Sequence, residues 1–287
     1  MVRRRIGSLS VSILGAIIAA LLGPASFAQD MVEDVPFLTV RDLDGEGGYF
    51  GDARSTLSAG GCTLEAVDAG GRMPVLESGP TFIREQLLQI EEVATLSPDA
   101  LIESVPSTPD QPPALYVHGY YIDFDKGCRR AALLQRNADI TGRMVWFSWP
   151  SDGDVLNYAR DEADLYWSVP DIADAIVALN EHAANAGGAN IIGHSLGGRG
   201  VVLAMYEIAN QVPETRLGNV VLLAPDMDFW IFARLLPRIL PIAKSITVYV
   251  NDEDHPLALS EQLHGYPRLG QSGSNAAVLA GVEVIDV

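Results

Sequence analysis

The sequence of 287 residues has few basic side chains: 19 lysines and arginines stand against 37 aspartates and glutamates, which gives a formal net charge of −18. Such a charge repels phosphate backbones and anionic lipid surfaces, so nucleic acid is disfavoured as a partner. A hydrophobic fraction of 48% and a charged fraction of 20% are typical of a folded chain and exclude a disordered one. At this length, one α/β domain can build its core without a stabilising metal.

The sequence also lacks the common cofactor and metal motifs. It contains no HExxH, no GxGxxG after a strand and no GxxxxGK[ST]. The acidic runs 152–154 and 252–254 do not have the Asp, Asn and Glu spacing of a calcium loop. We therefore predict that the protein uses neither a cofactor nor a metal ion.

The N-terminal residues are typical of an export signal. Arg3, Arg4 and Arg5 precede an apolar run, and the small residues Ser26 and Ala28 suit cleavage before residue 29. We expect residues 1–28 to be a signal peptide, with an uncleaved membrane anchor as the alternative. After cleavage the protein would be periplasmic or secreted, with no stable membrane span.

Cysteine is scarce as well. The two cysteines, Cys62 and Cys128, lie outside any CxxC or other metal-binding pattern. In an oxidising compartment they can form a disulfide. One pair offers no spacing pattern to check, so a bridge and two separate thiols are both open.

Residues 29–113 carry weak signals and are expected to form an N-terminal extension and linker that wraps the core. The spacing of apolar residues predicts a helix over Phe82–Thr95. Ser97 and Pro98 are typical of an N-cap and first turn, so a short helix is predicted there. The proline-rich run 106–113 is predicted to be a linker.

Residues 114–287 are predicted to form the core. Short, almost continuous apolar runs alternate with helical patterns, which favours a parallel sheet with crossover helices. The predicted strands are Ala114–His118, Met144–Trp149, Ala189–His194, Asn219–Ala224, Ile246–Asn251 and Val282–Val287. The predicted helices are Gly127–Ile140, Val169–Ala186, Leu196–Asn210, Phe229–Leu240 and Pro256–His264.

A GxSxG motif joins one of these strands to the following helix. Its serine is Ser195, between Gly193 and Gly197. A strand that turns sharply into a helix exposes this hydroxyl at the sheet edge, and the helix N-terminus favours developing negative charge. We interpret the motif as a nucleophile elbow rather than an ordinary glycine-rich turn.

A second motif, His118-Gly119, follows the first core strand. Hydrolysis of an acyl group needs two N–H donors aimed at the oxyanion, one of them commonly from a loop after an early strand. We assign the backbone amides of Tyr120 and Leu196 to an oxyanion hole. The alternative for His118 is a buried side chain that satisfies local backbone groups.

Several motifs in chain order resemble the α/β-hydrolase superfamily, and more narrowly a bacterial esterase/lipase-like branch of poorly characterised substrate. The similarity spans roughly residues 113–287 and implies a mainly parallel, doubly wound α/β sheet with an atypical N-terminal extension. The motifs are His118-Gly119, Phe147-Ser148-Trp149-Pro150-Ser151, Gly193-His194-Ser195-Leu196-Gly197, Leu223-Ala224-Pro225-Asp226, Asp254, Leu257-Ala258-Leu259-Ser260 and Leu263-His264-Gly265.

The resemblance implies a triad in the chain order serine, acid, histidine. Asp254 matches the position of the acid in the family, and Asp252 is the second candidate. Asp226 and Asp228 follow the preceding strand, where some hydrolases place the acid. Each of these aspartates has a simpler alternative role in a turn or at a helix N-terminus.

The histidine departs from the pattern of the family. It is expected after the last strand, but residues 282–287 are that strand in our prediction. His255 and His264 follow the acid, and His264 is the candidate base. We expect that the sequence stops short of the usual histidine; an unusual histidine or a noncatalytic relative are the alternatives.

The sequence thus predicts a serine hydrolase that acts on small-molecule or lipid carboxylic esters through an acyl-enzyme. The rival predictions are a noncatalytic α/β-hydrolase-like binding protein and an inactive, truncated hydrolase. The sequence does not indicate an oligomeric state.

Overall fold

The computed structural model describes residues 32–43, 49–66, 85–138, 140, 142–251, 255–271 and 279–287. Residues 1–28, predicted as a signal peptide, and the acid candidates Asp252 and Asp254 lie outside the described residues. Residues 32–287 form one compact unit.

One sheet contains nine strands within the described part of the chain. They are β1 (Val32–Leu43), β2 (Phe50–Ala66), β3 (Leu88–Leu96), β4 (Ala114–Val117), β5 (Met144–Ser148), β6 (Asn190–His194), β7 (Leu217–Leu223), β8 (Ala243–Val250) and β9 (Glu283–Asp286). Their order across the sheet is β3-β2-β1-β5-β4-β6-β7-β8-β9.

Strand direction divides the sheet into two parts. The pairs β1–β2 and β2–β3 are antiparallel, and every other neighbouring pair is parallel. The prediction of a mainly parallel α/β sheet is therefore confirmed. The N-terminal extension does not merely cover the core, because it supplies three strands to the same sheet.

Six α-helices connect the strands in the described residues. They are α1 (Pro98–Ser104), α2 (Phe124–Asn137), α3 (Tyr158–His182), α4 (Leu196–Gln211), α5 (Phe229–Ile239) and α6 (His255–His264). None of these helices combines the length and the apolar character that a membrane crossing needs.

Most predicted core elements agree with the structure to within a few residues. Where a helix begins, side chains fix the boundary: Ser97 caps α1 by accepting from the amide of Ala100, and Asp123 caps α2 by accepting from the amide of Lys126. The helix predicted from Val169 begins eleven residues earlier, at Tyr158. Pro170 lies inside α3, and a proline is more typical of a first turn.

The helix predicted over Phe82–Thr95 is wrong, because residues 88–96 form the edge strand β3. Ile90 pairs with Leu64 and Glu92 pairs with Thr63, so Glu91 is an extra residue in the ladder. Such a bulge shifts the alternation of inward side chains by one position. The resulting mixture of two- and three-residue spacings imitates a helical pattern.

A disulfide joins Cys62 on β2 to Cys128 on α2. Both residues are fully buried, and their Cα atoms lie 6.6 Å apart. The structure thus selects the bridge from the two alternatives that the sequence leaves open. It ties the N-terminal extension to the helix that follows the His118-Gly119 segment.

We expect loss of this disulfide to lower the free energy of unfolding by about 4 kcal/mol, because a cross-link restricts the unfolded chain most when the closed loop is long. The two cysteines are 66 residues apart. Urea unfolding with and without a reductant measures the effect. A Cys62→Ala, Cys128→Ala double variant is the control, and its unfolding midpoint should be the same with and without the reductant. Equal midpoints for the wild type in both conditions would contradict the prediction.

Candidate active site

Ser195 occupies a strained turn between β6 and α4. Its φ of 51° and ψ of −121° lie in a backbone region that residues other than glycine rarely adopt. A Cβ on Gly193 would approach the Cα of Gly198 to 2.7 Å, and one on Gly197 would approach the carbonyl oxygen of His118 to 2.2 Å. Both glycines of the motif are therefore needed for close backbone packing.

The loop after β4, residues 119–123, runs directly past this turn. A Cβ on Gly119 would lie 3.0 Å from the Cβ of Ser195, so the loop and the serine are in contact. The amides of Tyr120 and Leu196 have no hydrogen-bond partner within the described part of the chain. Both are free to donate to a negatively charged oxygen, as an oxyanion hole requires.

Hydrogen bonds from outside the loop fix its course. The amide of Tyr121, whose φ is 63°, donates to Oδ2 of Asp161 at 3.1 Å. The amide of Ile122 donates to Oγ of Ser151 at 3.0 Å, and that hydroxyl donates to Asp161 at 2.5 Å. Burial raises the pKa of Asp161, while these donors oppose the rise. The loop conformation is thus set by neighbouring segments.

His118 has the structural role named as the alternative above. Its buried ring stacks on Trp149 with centroids 4.8 Å apart. Nδ1 lies 2.7 Å from the carbonyl oxygen of Gly119, and Nε2 lies 3.2 Å from that of Trp149. Burial lowers the pKa of His118 well below its usual value, so the ring is neutral and donates one of these two hydrogen bonds.

His194 precedes the serine and packs against Gly119 of the loop. Its Nδ1 would lie 3.1 Å from a Cβ built on Gly119. Burial, with a smaller contribution from Arg130, lowers the pKa of this imidazole to about 4. A base this weak accepts a proton poorly near neutral pH.

Asp226 is held by an extensive set of donors at the end of β7. Its backbone amide donates to the carbonyl oxygen of Ser195 at 3.0 Å. Although burial raises its pKa, Arg199 and Arg268 hold the pKa of this carboxyl below its usual value. Its carboxylate accepts from the hydroxyl of Tyr158 at 2.5 Å, from Oγ of Ser260 at 2.7 Å and from Nε of Arg268 at 2.7 Å, and Nη2 of Arg199 lies 3.4 Å away.

Comparison with known proteins assigns this arrangement to a family. Residues 95–287 match the family described as "Alpha/beta hydrolase of unknown function (DUF900)". The chain belongs to this α/β-hydrolase family. Its sequence matches none of the curated proteins.

Solved structures similar to the chain include esterases and a lipase-esterase related protein. An esterase from Pyrobaculum calidifontis shares 13% identity, with 90% of this chain and 75% of that chain covered and a TM-score of 0.39. A fungal esterase from Rhizomucor miehei shares 12%, with 99% and 82% covered and a TM-score of 0.43. The lipase-esterase related protein from Clostridium acetobutylicum shares 11%, with 63% and 88% covered and a TM-score of 0.36. The family assignment rests on the sequence match.

Of the other acid candidates in this hydrolase, Asp228 has a clear structural role. Its carboxylate accepts from the amide of Ile231 at 2.9 Å and caps α5. Asp252 and Asp254 lie outside the described residues, so their assignment stays a prediction. Elsewhere among the described residues, no group of three or more His, Cys, Asp or Glu side chains is placed to hold a metal ion.

The structure does not bring His264 into hydrogen-bond contact with Ser195. Nδ1 of His264 lies 2.8 Å from the carbonyl oxygen of Ser260, and Nε2 lies 3.2 Å from Oε1 of Glu162. Both ring nitrogens therefore face the polar cluster around Asp226. The role of His264 as a base stays a prediction.

Sequence reasoning missed the charged partners in this cluster. Arg199 follows Ser195 by one turn of α4 and donates to Glu162 and to the carbonyl oxygen of Asp226. Burial raises the pKa of Glu162, but the Arg199 guanidinium holds it below its usual value. Tyr158 and Glu162 are four residues apart, so they share one face of α3. That spacing, together with a cation two residues after the motif, is the signal that the sequence offers.

A cavity of about 290 Å³ opens beside the polar cluster. Glu162, Arg199 and His264 form its charged side, and Leu203, Met227 and Ile231 are among its apolar lining residues. Tyr166 and Tyr266, both about half exposed, complete the rim.

We expect Asp226→Asn to lower the free energy of unfolding by about 3–5 kcal/mol at pH 7, because it leaves Arg199 and Arg268 without their buried carboxylate. A lowered carboxyl pKa stabilises the fold above the ordinary value of about 3.9 and loses this effect as the pH falls through the folded value. The difference between variant and wild type should therefore shrink below about pH 4. Urea unfolding from pH 7 to pH 3 measures it.

The matched control is Asp110→Asn, because Asp110 is exposed and substitutions at such positions change stability by less than about 0.5 kcal/mol. A destabilisation of Asp226→Asn that stays constant over the whole pH range would show that the ionised carboxylate is not what stabilises the cluster.

Proposed function

We propose that this protein is a serine hydrolase that cleaves carboxylic esters through an acyl-enzyme on Ser195. The observation that carries the proposal is the strained backbone of Ser195 between β6 and α4, beside two unpaired amides. Strain of this kind is retained where the surrounding structure fixes it, often at functional sites.

In the proposed reaction, Oγ of Ser195 attacks the ester carbonyl carbon while a base takes the hydroxyl proton. The carbonyl oxygen becomes an oxyanion that accepts from the amides of Tyr120 and Leu196. When the carbon–oxygen bond to the alcohol breaks, the base returns its proton to the leaving alcohol. Water then attacks the acyl-enzyme by the same steps, so that ester and water yield acid and alcohol.

We propose Asp254 as the acid that orients the base, with Asp252 as the alternative. Both belong to the segment after β8, which is two strands from β6 in the parallel part of the sheet. Carboxyl ends of parallel strands meet at one edge, where ligands of open α/β sheets bind. The competing position, Asp226, already has two arginines and two hydroxyls as partners.

The proposed substrates are small-molecule or lipid esters that the protein meets outside the cytoplasm. Ser195 does not line the 290 Å³ cavity, but Arg199, one turn along α4 from it, does, and the apolar part of the lining at Leu203, Met227 and Ile231 suits the hydrocarbon part of such a substrate. Export to the periplasm or the medium is supported by the Cys62–Cys128 disulfide, since disulfides persist in oxidising compartments.

A noncatalytic binding protein of the same fold is the second candidate. The observation in its favour is the position of His264, whose two nitrogens contact Ser260 and Glu162. If this arrangement persists with a substrate bound, Ser195 has no base from α6.

We expect Ser195→Ala to reduce the hydrolysis of a short-chain chromogenic ester by about a thousandfold or more, because the acyl-enzyme cannot form. The measurement is kcat/KM under steady-state conditions. The matched control is Ser245→Ala on β8, where the hydroxyl contacts Asn219 and activity should be unchanged. Undiminished turnover by Ser195→Ala would refute the proposed nucleophile.

For His264→Ala, the proposed role as base predicts a loss as deep as that of Ser195→Ala, since removing either member of a triad disables the same step. A loss of less than about tenfold, with Ser195→Ala inactive, would assign His264 to the polar cluster and require a different base. No activity in the folded wild type would favour the binding protein.

A further inference from the structure

Arg41, on β1, is a buried cation in the N-terminal extension. Its side chain is among the largest that the fold buries completely, with 2% of the residue exposed. Its hydrogen bonds within the described part of the chain go to uncharged oxygens. Nε donates to Oγ of Ser148 at 2.8 Å, Nη1 to the carbonyl oxygens of Gly51 at 3.0 Å and Ser151 at 2.8 Å, and Nη2 to that of Ile122 at 2.7 Å.

A charge buried in this way is costly unless its hydrogen bonds are nearly all satisfied. Burial lowers the pKa of Arg41 to about 10, and Asp123 and Asp161 oppose the shift. The guanidinium therefore remains charged at neutral pH. Its planar fork can bind several backbone oxygens at fixed angles, which a lysine cannot do.

One of those oxygens belongs to the loop that carries the proposed oxyanion donor. Both backbone groups of Ile122 are bound: its amide by Oγ of Ser151 and its carbonyl by Arg41. Arg41 also binds the carbonyl oxygen of Ser151. The guanidinium thus joins the two segments whose contact sets the course of the loop, two residues after Tyr120.

We propose that Arg41 is a positioning residue that holds loop 119–123 so that the amide of Tyr120 faces the oxyanion. The family match begins at residue 95, so this assigns part of the active site to a segment outside it. The catalytic consequence rests on the proposed function, whereas the control of the loop does not.

The first experiment compares amide hydrogen exchange in Arg41→Lys and wild type. We expect exchange in a peptide spanning residues 119–123 to accelerate at least tenfold, while peptides from β6, β7 and β8 change little. Arg54→Lys is the matched control, because Arg54 lies opposite Arg41 on β2 but pairs with Asp164. Unchanged exchange in the loop would overturn the proposal.

A second variant guards against failure of Arg41→Lys to fold. Ser148→Ala removes the hydroxyl that accepts from Nε of Arg41 and leaves every residue of the loop and Ser151 unchanged. We expect exchange in residues 119–123 to accelerate, by a smaller factor than in Arg41→Lys, because the guanidinium loses one of the bonds that fix its orientation. A loop as protected as in the wild type would overturn the proposal by this route also.

The catalytic consequence is read from ester hydrolysis. We expect kcat of Arg41→Lys to fall about ten- to hundredfold with KM changed less than about threefold, because oxyanion contacts strengthen in the transition state. A loosened loop with unchanged kcat would show that Arg41 does not position the donor. If the wild type lacks Ser195-dependent hydrolysis, the proposed function fails, and exchange alone decides whether Arg41 holds the loop.

Discussion

The absence of space for side chains around Ser195 is the constraint on which the site depends. The turn from β6 into α4 packs against the end of β4 so closely that Gly193, Gly197 and Gly119 each border another backbone or the serine itself. Ser195 keeps its positive φ because these contacts leave the backbone no relaxed alternative. Loop 119–123 passes this turn with Gly119 against Ser195, and its hydrogen bonds come from residues outside the loop.

Buried arginines lie on two sides of the serine. On the side of the N-terminal extension, Arg41 binds uncharged oxygens and fixes the loop. On the other side, Arg199 and Arg268 surround Asp226, whose amide binds the carbonyl oxygen of Ser195. Despite the excess of acid in the whole chain, buried arginines thus organise the site, because their several donors can join segments far apart in sequence.

Features with local signals could be predicted from the sequence, and contacts between distant segments could not. The core strands, the turn at Ser195 and loop 119–123 have local signals, since apolar runs and the glycines of GxSxG act over a few residues. The sequence of the edge strand β3 wrongly predicts a helix, because the bulge at Glu91 disturbs the alternation of inward and outward side chains that marks a strand. The partners of Arg41 lie up to 110 residues away, and only the assembled sheet brings them together.

The surroundings of the described histidines limit which of them can act as the base. Both ring nitrogens of His118 lie against backbone carbonyl oxygens. The lowered pKa of His194 makes it a weak proton acceptor. His182 contacts the carbonyl oxygen of Val105, beside the end of α1. His264 lies in the polar cluster around Asp226, where Nδ1 contacts the carbonyl oxygen of Ser260 and Nε2 contacts Glu162. A base from α6 would therefore have to exchange these contacts for one with Ser195, and Glu162 would then keep Arg199 as its partner.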